Sequence, residues 1–197
     1  MIHELGYIYE NHCVAFQYRM GTGRDGRQRK GDNKMNIDFV PAKASDAAAI
    51  SALRQRIWDT TYRGIYPDTV IDEFDYGWHQ QRDLKKISDP SFTVYLIKYG
   101  NEDIGYFIFQ HAASGVWLHS LYVLQEYQRK GIGKQAFSIL KEYCTARGID
   151  RFVCICSPHN ENAVRFYRCM GGVVTKTDTG HENRQEDGIL FQFNVQA

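Results

Sequence analysis

A short glycine-containing segment, Gln128–Lys134, constrains the fold of this chain more than any other feature. The run before it, residues 116–123, is short and rich in aromatic and β-branched residues, which predicts a strand. After Gly133 the apolar residues recur at helical spacing, which predicts a helix that continues to about Arg147. A strand, a glycine loop and a helix N-terminus together favour an anion site, because the helix dipole and the first-turn N–H groups both point into the loop.

The residues of this loop narrow the kind of anion. Gly131 and Gly133 let the backbone approach a phosphate closely, which indicates a pyrophosphate. The third glycine of a dinucleotide-binding fingerprint is missing, and Gln135 stands where a Walker loop has its magnesium-binding hydroxyl. The sequence therefore excludes a Rossmann or NTPase loop, whereas a glycine turn without any ligand stays open while this segment is taken alone.

A second segment, residues 160–172, follows another predicted strand at residues 151–156. Asn160 is placed to cap a helix, and Gly171 is placed to end it. The apolar positions between them recur at helical spacing, so we predict an amphipathic helix over residues 160–170.

Together, the two segments resemble the GNAT superfamily of N-acetyltransferases. The acyl-CoA loop of that family has the form Gln/Arg-x-x-Gly-x-Gly/Ala, and a later block contains an Asn, an Ala, an aromatic–Tyr pair and a Gly. The matching positions are Gln128, Gly131, Gly133, Asn160, Ala163, Phe166, Tyr167 and Gly171. The resemblance covers roughly residues 36–195. It implies an α/β fold with a central mixed β-sheet (α+β), helices on both faces, and acetyl-CoA-dependent N-acetyltransferase activity.

Composition indicates one domain with an unusual start. At 197 residues and 43% hydrophobic, the chain can bury one substantial core. Residues 1–34 include a glycine-rich, basic stretch, so we expect a disordered extension before an acetyltransferase domain at residues 35–197. Two alternatives are that Met35 is the true start and that the extension is a basic arm for RNA or an acidic membrane.

Charge and cysteine content exclude several other classes. The net charge of +1 favours neither a nucleic-acid nor a membrane partner. No apolar run approaches the ~20 residues of a membrane span, and we expect a cytoplasmic protein without a secretory signal. The five cysteines lack metal-binding spacing, so we expect buried free thiols and no metal. The oligomeric state stays open, with a homodimer as one option.

The resemblance also implies how acyl-CoA is held. Leu121, Tyr122 and Val123 would pair with the pantetheine arm like an added strand, although a plain core strand fits them equally well. Asn160 would steady the same arm, beside its role as a helix cap. The pyrophosphate would lie on the loop, whose residues are Gln128, Arg129, Lys130, Gly131, Ile132, Gly133 and Lys134.

Two residues are candidates for proton transfer. Tyr167 would protonate the departing thiolate, because a phenol with an ordinary pKa near ~10 carries its proton at neutral pH. Without the resemblance, an aromatic residue in the core is the simpler interpretation of Tyr167. His119, on the strand before the loop, is the candidate general base. A structural histidine, a chain of waters or no dedicated base are the alternatives there.

The sequence says least about the acceptor. Residues 59–75 contain five carboxylates against Arg63, which would attract a cationic amine such as a polyamine; an ordinary acidic surface is the alternative. Trp58, Tyr62 and Tyr66 would line an acceptor pocket or pack the core. We predict transfer of an acetyl group from acetyl-CoA to the primary amine of a small molecule. Acetylation of protein N-termini or Lys, and a non-catalytic acyl-CoA-binding regulatory module, are the alternatives.

Overall fold

The computed structural model describes residues 36–196. The strands are β1 (Ile37–Pro41), β2 (Phe92–Tyr99), β3 (Glu102–Ala112), β4 (Gly115–Val123), β5 (Arg151–Cys156), β6 (Val173–Asp178) and β7 (Gly188–Asn194). The helices are α1 (Ala47–Tyr62), α2 (Asp68–Asp72), α3 (Tyr76–Ser88), α4 (Ile132–Thr145) and α5 (Glu161–Cys169). The first 34 residues and Met35 lie outside the described part, and so do the predictions made for them.

All seven strands form one mixed sheet in the order β1-β2-β3-β4-β5-β7-β6. The central pair, β4 and β5, is parallel, and the other neighbouring strands are antiparallel. The parallel pairing covers only residues 116–118 of β4 against residues 152–154 of β5. Beyond Leu118 the two strands therefore leave an open edge in the middle of the sheet.

Helices cover both faces of this sheet, and each face has its own core. On one face Phe137 of α4 and Tyr167 of α5 pack with the side chains of Leu121 and Val123. On the other face α1 packs with Tyr122. The alternation of β4 side chains between the two cores follows from the pleat, because successive residues of a strand point to opposite faces. The mixed sheet with helices on both faces agrees with the fold predicted from the sequence.

A bulge interrupts β4 next to its open edge. Ile108 of β3 pairs with Ser120 and Phe109 pairs with Leu118, so His119 has no direct partner across the strand pair. An extra residue of this kind bends a strand and redirects its side chains. His119 consequently points to the face that α3 covers, where its ring lies 5.2 Å from that of Phe92.

Most predicted elements are present, and one expectation was wrong in detail. Residues 73–75 separate α2 from α3. The break has a physical reason, because the Asp75 carboxylate accepts a hydrogen bond from the N–H of Trp78 and caps α3. Cys169 is exposed, whereas the thiols of Cys144, Cys154 and Cys156 are buried as predicted. Within residues 36–196, every helix is too short or too polar to cross a bilayer.

Candidate active site

The open edge of β4 offers backbone groups to a ligand. Leu124 donates its N–H to the carbonyl of Ile104 at 2.8 Å. Because backbone groups alternate along an antiparallel pair, those of Tyr122 also point to β3, and those of Leu121 and Val123 point to the opening. Two of the three residues predicted to pair with pantetheine thus present backbone groups at the edge, whereas Tyr122 does not.

The loop after β4 has the backbone geometry of an anion cradle. Arg129 has a φ of 64° and Gly131 a φ of 83°, so two left-handed residues turn the chain into α4. Gly131 is the N-cap of α4, and no side chain caps the first turn. A Cβ on Gly131 would meet no protein atom within 4 Å. Glycine is therefore needed there for its φ and for the approach of a ligand rather than for packing.

Gln128 ties this loop to the end of β4. Its side-chain Nε2 donates to the carbonyl of Val123 at 2.8 Å, and the residue is buried. The amide thus binds protein backbone at the open edge, a contact that fixes the loop relative to the strand. The neighbouring Ile132 is also buried in the core, so its backbone alone can reach a ligand. The predicted contacts of both residues with the cofactor stay predictions.

A cleft of about 740 Å³ lies between this loop and α5. We call it the cationic cleft, because its lining contains four cationic side chains and no carboxylate. The lining residues are Arg129, Gly131, Gly133, Lys134, Asn162, Arg165, Phe166, Arg168, Cys169 and Met170. Lys130, also predicted to contribute charge, lies outside this lining with its ammonium over the ring of Tyr127.

Arg165 and Arg168 are residues of the cationic cleft that the sequence analysis missed. The Arg165 guanidinium donates to the side-chain oxygen of Asn162 at 2.7 Å, which orients it. The sequence did contain a signal for these two arginines, because residues 162, 165 and 168 are spaced three apart. Residues at that spacing share one side of a helix, here the side away from the apolar stripe.

A second cleft, the polar cleft of about 260 Å³, continues from the first one. Its lining residues are Thr60, Thr61, Ile65, Gln125, Gln128, His159, Asn160, Glu161, Asn162 and Arg165. Asn162 and Arg165 line both clefts, so an extended ligand could run from one to the other. Buried Asn160 caps α5 by accepting a hydrogen bond from the N–H of Ala163 at 3.1 Å. The predicted cap is confirmed, and contact with pantetheine stays a prediction.

Tyr167 lies on the inner side of α5. Its side chain is fully buried, and its ring centroid lies 5.5 Å from that of Phe191 and 5.8 Å from that of Phe193. These contacts agree with the interpretation of Tyr167 as a core aromatic. They are compatible with the predicted acid as well, since Tyr167 and the cap Asn160 belong to the same short helix.

The surroundings of His119 disfavour its predicted role as base. Its Nε2 lies 3.1 Å from the side-chain oxygen of Gln110. Burial, together with the charges of Lys86 and Arg82, lowers the pKa of His119 to about 3. A group with such a low pKa is a weak proton acceptor. His119 also lines neither the cationic nor the polar cleft.

Comparison with known proteins identifies the chain. Residues 51–171 match the sequence profile of the acetyltransferase (GNAT) family. The chain belongs to the GNAT family. It is an acetyl-CoA-dependent N-acetyltransferase with the GNAT fold. A search of curated protein sequences found no significant match.

Solved structures with the same fold include acetyltransferases of different kinds. The PaiA N-acetyltransferase of Thermoplasma acidophilum, in complex with coenzyme A, has a TM-score of 0.71 and 22% identity, with 81% of this chain and 99% of that chain covered. The ribosomal-protein-S18-alanine N-acetyltransferase of Escherichia coli has a TM-score of 0.63 and 15% identity, with coverages of 81% and 94%. An aminoglycoside 6'-acetyltransferase type Ii has a TM-score of 0.57 and 15% identity, with coverages of 82% and 97%.

In this GNAT acetyltransferase, part of the acidic segment 59–75 is held in ion pairs. The Arg63 guanidinium lies 3.0 Å from a carboxylate oxygen of Asp59, 3.3 Å from Asp68 and 2.9 Å from Asp72. Three of the five carboxylates counted in the sequence thus converge on the one cation between them. The two remaining carboxylates, Glu73 and Asp75, follow α2 and do not belong to the cluster around Arg63.

Glu73 and Asp75 border a pocket of about 190 Å³ on the other side of α1 from the polar cleft. We call it the aromatic pocket; its lining residues are Trp58, Tyr62, Tyr66, Val70, Glu73, Phe74, Asp75, Trp78, His79, Arg82 and Gln185. Three of them are the aromatic residues predicted to line an acceptor site or to pack the core. Tyr62 and Tyr66 do both, since they are buried, stack at 4.8 Å and form one wall.

The wall of the aromatic pocket reaches the open edge of the sheet. The Tyr62 hydroxyl lies 3.0 Å from the hydroxyl of Tyr122 on β4. The Tyr66 hydroxyl interacts with the side chain of Ser157, which directly follows β5. Tyr62 and Tyr66 therefore connect the aromatic pocket to the gap between β4 and β5.

Proposed function

We propose that this acetyltransferase transfers the acetyl group of acetyl-CoA directly to the primary amine of a small cationic molecule, which binds in the aromatic pocket. The observation that carries the proposal is the combination of aromatic walls and carboxylates in that pocket. Aromatic faces attract an ammonium group through their quadrupole, and a carboxylate supplies the complementary charge.

Charges around the aromatic pocket support a cationic acceptor. Among residues 36–196, nothing hydrogen-bonds to or pairs with the Glu73 carboxylate, which leaves it available to a ligand. The Arg82 guanidinium stacks on the ring of Trp78 at 4.7 Å. Burial and the nearby cations lower the pKa of His79 to about 2, so this imidazole is neutral. Two carboxylates and one guanidinium leave the pocket with a net negative charge.

On the donor side, the proposal assigns each part of acetyl-CoA to a described feature. The phosphates would lie in the cationic cleft, on the loop at Gly131. The pantetheine arm would follow the polar cleft past Asn160 and use the backbone groups of Leu121 and the N–H of Val123. The thioester would then reach the gap between β4 and β5, next to Tyr62 and Tyr66 of the aromatic pocket.

The reaction follows from this arrangement. The neutral amine attacks the thioester carbonyl carbon, a C–N bond forms, and the C–S bond breaks as the tetrahedral intermediate collapses. Tyr167 would supply a proton to the departing thiolate, and the amine loses one proton overall. The products are the acetamide and free coenzyme A.

A panel of acceptors tests the proposal. Release of coenzyme A is measured with diamines, monoamines, an alanine-initiated peptide and a lysine peptide. We expect small cationic amines to react fastest. Glu73→Gln should raise the KM for the best amine about 10-fold, on the order of 1.4 kcal/mol, and leave the KM for acetyl-CoA unchanged.

Asp68→Asn is the matched control, because it removes a carboxylate that is ion-paired with Arg63 and does not line the aromatic pocket. It should leave both KM values close to those of the wild type. Faster turnover of either peptide than of every small amine would contradict the proposal, as would equal amine KM values for the Glu73 variant and the wild type. The aminoglycoside and ribosomal-protein enzymes named above show that the fold is compatible with either kind of acceptor.

A further inference from the structure

A buried carboxylate with two imidazoles lies where α5 meets the loop between β6 and β7. Asp187 is 3% exposed, and its two oxygens lie 2.7 Å from Nε2 of His159 and 2.9 Å from Nδ1 of His181. Hydrogen bonds from His159 and His181 hold the pKa of Asp187 well below its usual range. The carboxylate is therefore ionised throughout the neutral range.

We infer that His159, oriented by Asp187, takes the proton from the acceptor amine in this acetyltransferase. The inference rests on the proposed attack by an amine, and it does not depend on which amine is the acceptor. It assigns the base to a loop before α5 instead of to the strand before the acyl-CoA loop.

The contact with Asp187 fixes the tautomer of His159. An ionised carboxylate only accepts hydrogen bonds, so Nε2 of a neutral His159 carries the proton and Nδ1 keeps its lone pair. Within the described residues, Nδ1 of His159 has no hydrogen-bond partner. Its side chain is 32% exposed and lines the polar cleft beside Asn160. A proton acceptor is thus presented to the cleft that we assign to the acyl arm.

Asp187 also stabilises the imidazolium that forms when His159 takes a proton, as a buried carboxylate does for the histidine of a catalytic triad. His181 is a poorer candidate, because it already holds Asp187 through Nδ1 and its Nε2 lies 3.6 Å from Asp178. Its hydrogen bond to Asp187 raises the pKa of His181. His79 and His119 are buried and have pKa values far below neutrality.

Charged and titratable groups from three other elements surround His159. Glu161 and Arg165 of α5 line the same cleft. Tyr66, from the segment between α1 and α2, lies close enough to Asp187 for the carboxylate to act on the pKa of the phenol.

The proposed step balances as follows. The ammonium of the acceptor gives a proton to Nδ1 of His159, and the neutral amine attacks the thioester carbon. As the tetrahedral intermediate collapses, the C–S bond breaks, the nitrogen loses its second proton to water, and the thiolate of coenzyme A takes a proton from Tyr167. His159 returns its proton to water at the exposed edge of the ring, and the tyrosine is reprotonated from water. The sum is acetyl-CoA plus R–NH₃⁺ giving the acetamide, coenzyme A and one proton.

The test is the pH dependence of kcat/KM for His159→Gln, measured with whichever acceptor in the panel reacts fastest. We expect kcat/KM to fall about 100-fold at neutral pH. The deficit should shrink as the pH rises, because the free amine then forms without help. The affinity for acetyl-CoA, measured by calorimetry, should stay within a few-fold of the wild-type value. Added imidazole should restore part of the lost rate.

His181→Gln is the matched control, since it removes the other imidazole from Asp187. It should keep the acidic limb of the wild-type pH profile, which is the fall of kcat/KM toward low pH. A thermal midpoint close to the wild-type value shows that each variant is folded. An unchanged acidic limb in His159→Gln would overturn the inference. If His159→Gln loses the acidic limb but the amine KM of Glu73→Gln equals that of the wild type, His159 stands as the base and the aromatic pocket is rejected as the acceptor site. An absence of acceptor-dependent release would contradict both proposals.

Discussion

The donor and acceptor sides of this acetyltransferase are built in different ways. The cationic cleft comes from two continuous segments, the loop 128–134 and the helix α5, and much of its surface is backbone. The aromatic pocket combines side chains of α1, α3, the connection between them and Gln185. A site made of local backbone is visible as a motif, whereas a site assembled from distant side chains becomes visible only once the chain is folded.

The two sides also carry opposite charge. The cationic cleft has four cationic side chains and no carboxylate, which suits the phosphates of coenzyme A. The aromatic pocket has two carboxylates against Arg82. The difference has a chemical consequence, because it draws an anionic donor and a cationic acceptor to separate places. Substitutions on each side should therefore affect one ligand and spare the other.

The largest effect should come from Gly131→Asp on the donor side. A side chain there would be strained at a φ of 83° and would put a carboxylate where the phosphates are proposed to lie. We expect no measurable binding of coenzyme A by calorimetry. Gly100→Asp is the matched control, because Gly100 also has a positive φ and open space around it but lies in the β2–β3 hairpin. Retained affinity in the Gly131 variant would remove the loop from the cofactor site.

Tyr167→Phe should have the next largest effect, and it should separate chemistry from binding. If Tyr167 protonates the thiolate, its loss should lower kcat about 100-fold and change the affinity for acetyl-CoA by only a few-fold. Stopped-flow or steady-state release of coenzyme A measures the first quantity, and calorimetry measures the second. Tyr143→Phe is the control, because this partly buried tyrosine of α4 packs against Phe109 and lines neither the cationic nor the polar cleft. Equal turnover in Tyr167→Phe and the wild type would leave Tyr167 as a core aromatic.

Sequence alone predicted the donor side well because its signals are local. The loop at Gln128, the N-cap Asn160 and the order of the strands all follow from residue types at short spacing. Arg165 and Arg168 were within reach of the same reasoning, since their spacing on α5 is a helical repeat. They were missed because exposed basic residues on a helix are most often only solvated.

The acceptor side could not be predicted in the same way. His159 and Asp187 are 28 residues apart, and only the folding of β6 and β7 brings them to 2.7 Å. His119 was predicted as base because it lies on the strand before the loop, yet the bulge in β4 turns it toward α3. The number of carboxylates in residues 59–75 was also a misleading guide to the acceptor site, because ion pairing with Arg63 depends on three-dimensional positions.

The smallest predicted effect is on the free energy of unfolding at acidic pH, and it should differ between histidines on the two faces of the sheet. His119, under α3, and His79, a residue of α3, are both buried on the acceptor side, and their pKa values are lowered to about 3 and about 2. Both imidazoles titrate near ~6.5 in an unfolded chain. As the pH falls below that value, the unfolded state binds protons that the folded state does not bind. The free energy of unfolding should therefore decrease from about pH 6.5 down toward the folded-state pKa values.

His119→Gln should reduce that acid sensitivity, because a glutamine can keep a contact with Gln110 and has no proton to bind. Between about pH 7 and pH 4.5, we expect the variant to lose on the order of 2 kcal/mol less than the wild type, measured by urea unfolding. His111→Gln is the control from the α4 face, where His111 lies beside Tyr143. It should keep the wild-type slope. An equal slope in all three proteins would mean that His119 is accessible to protons in the folded state, and its exclusion as the catalytic base would then no longer hold.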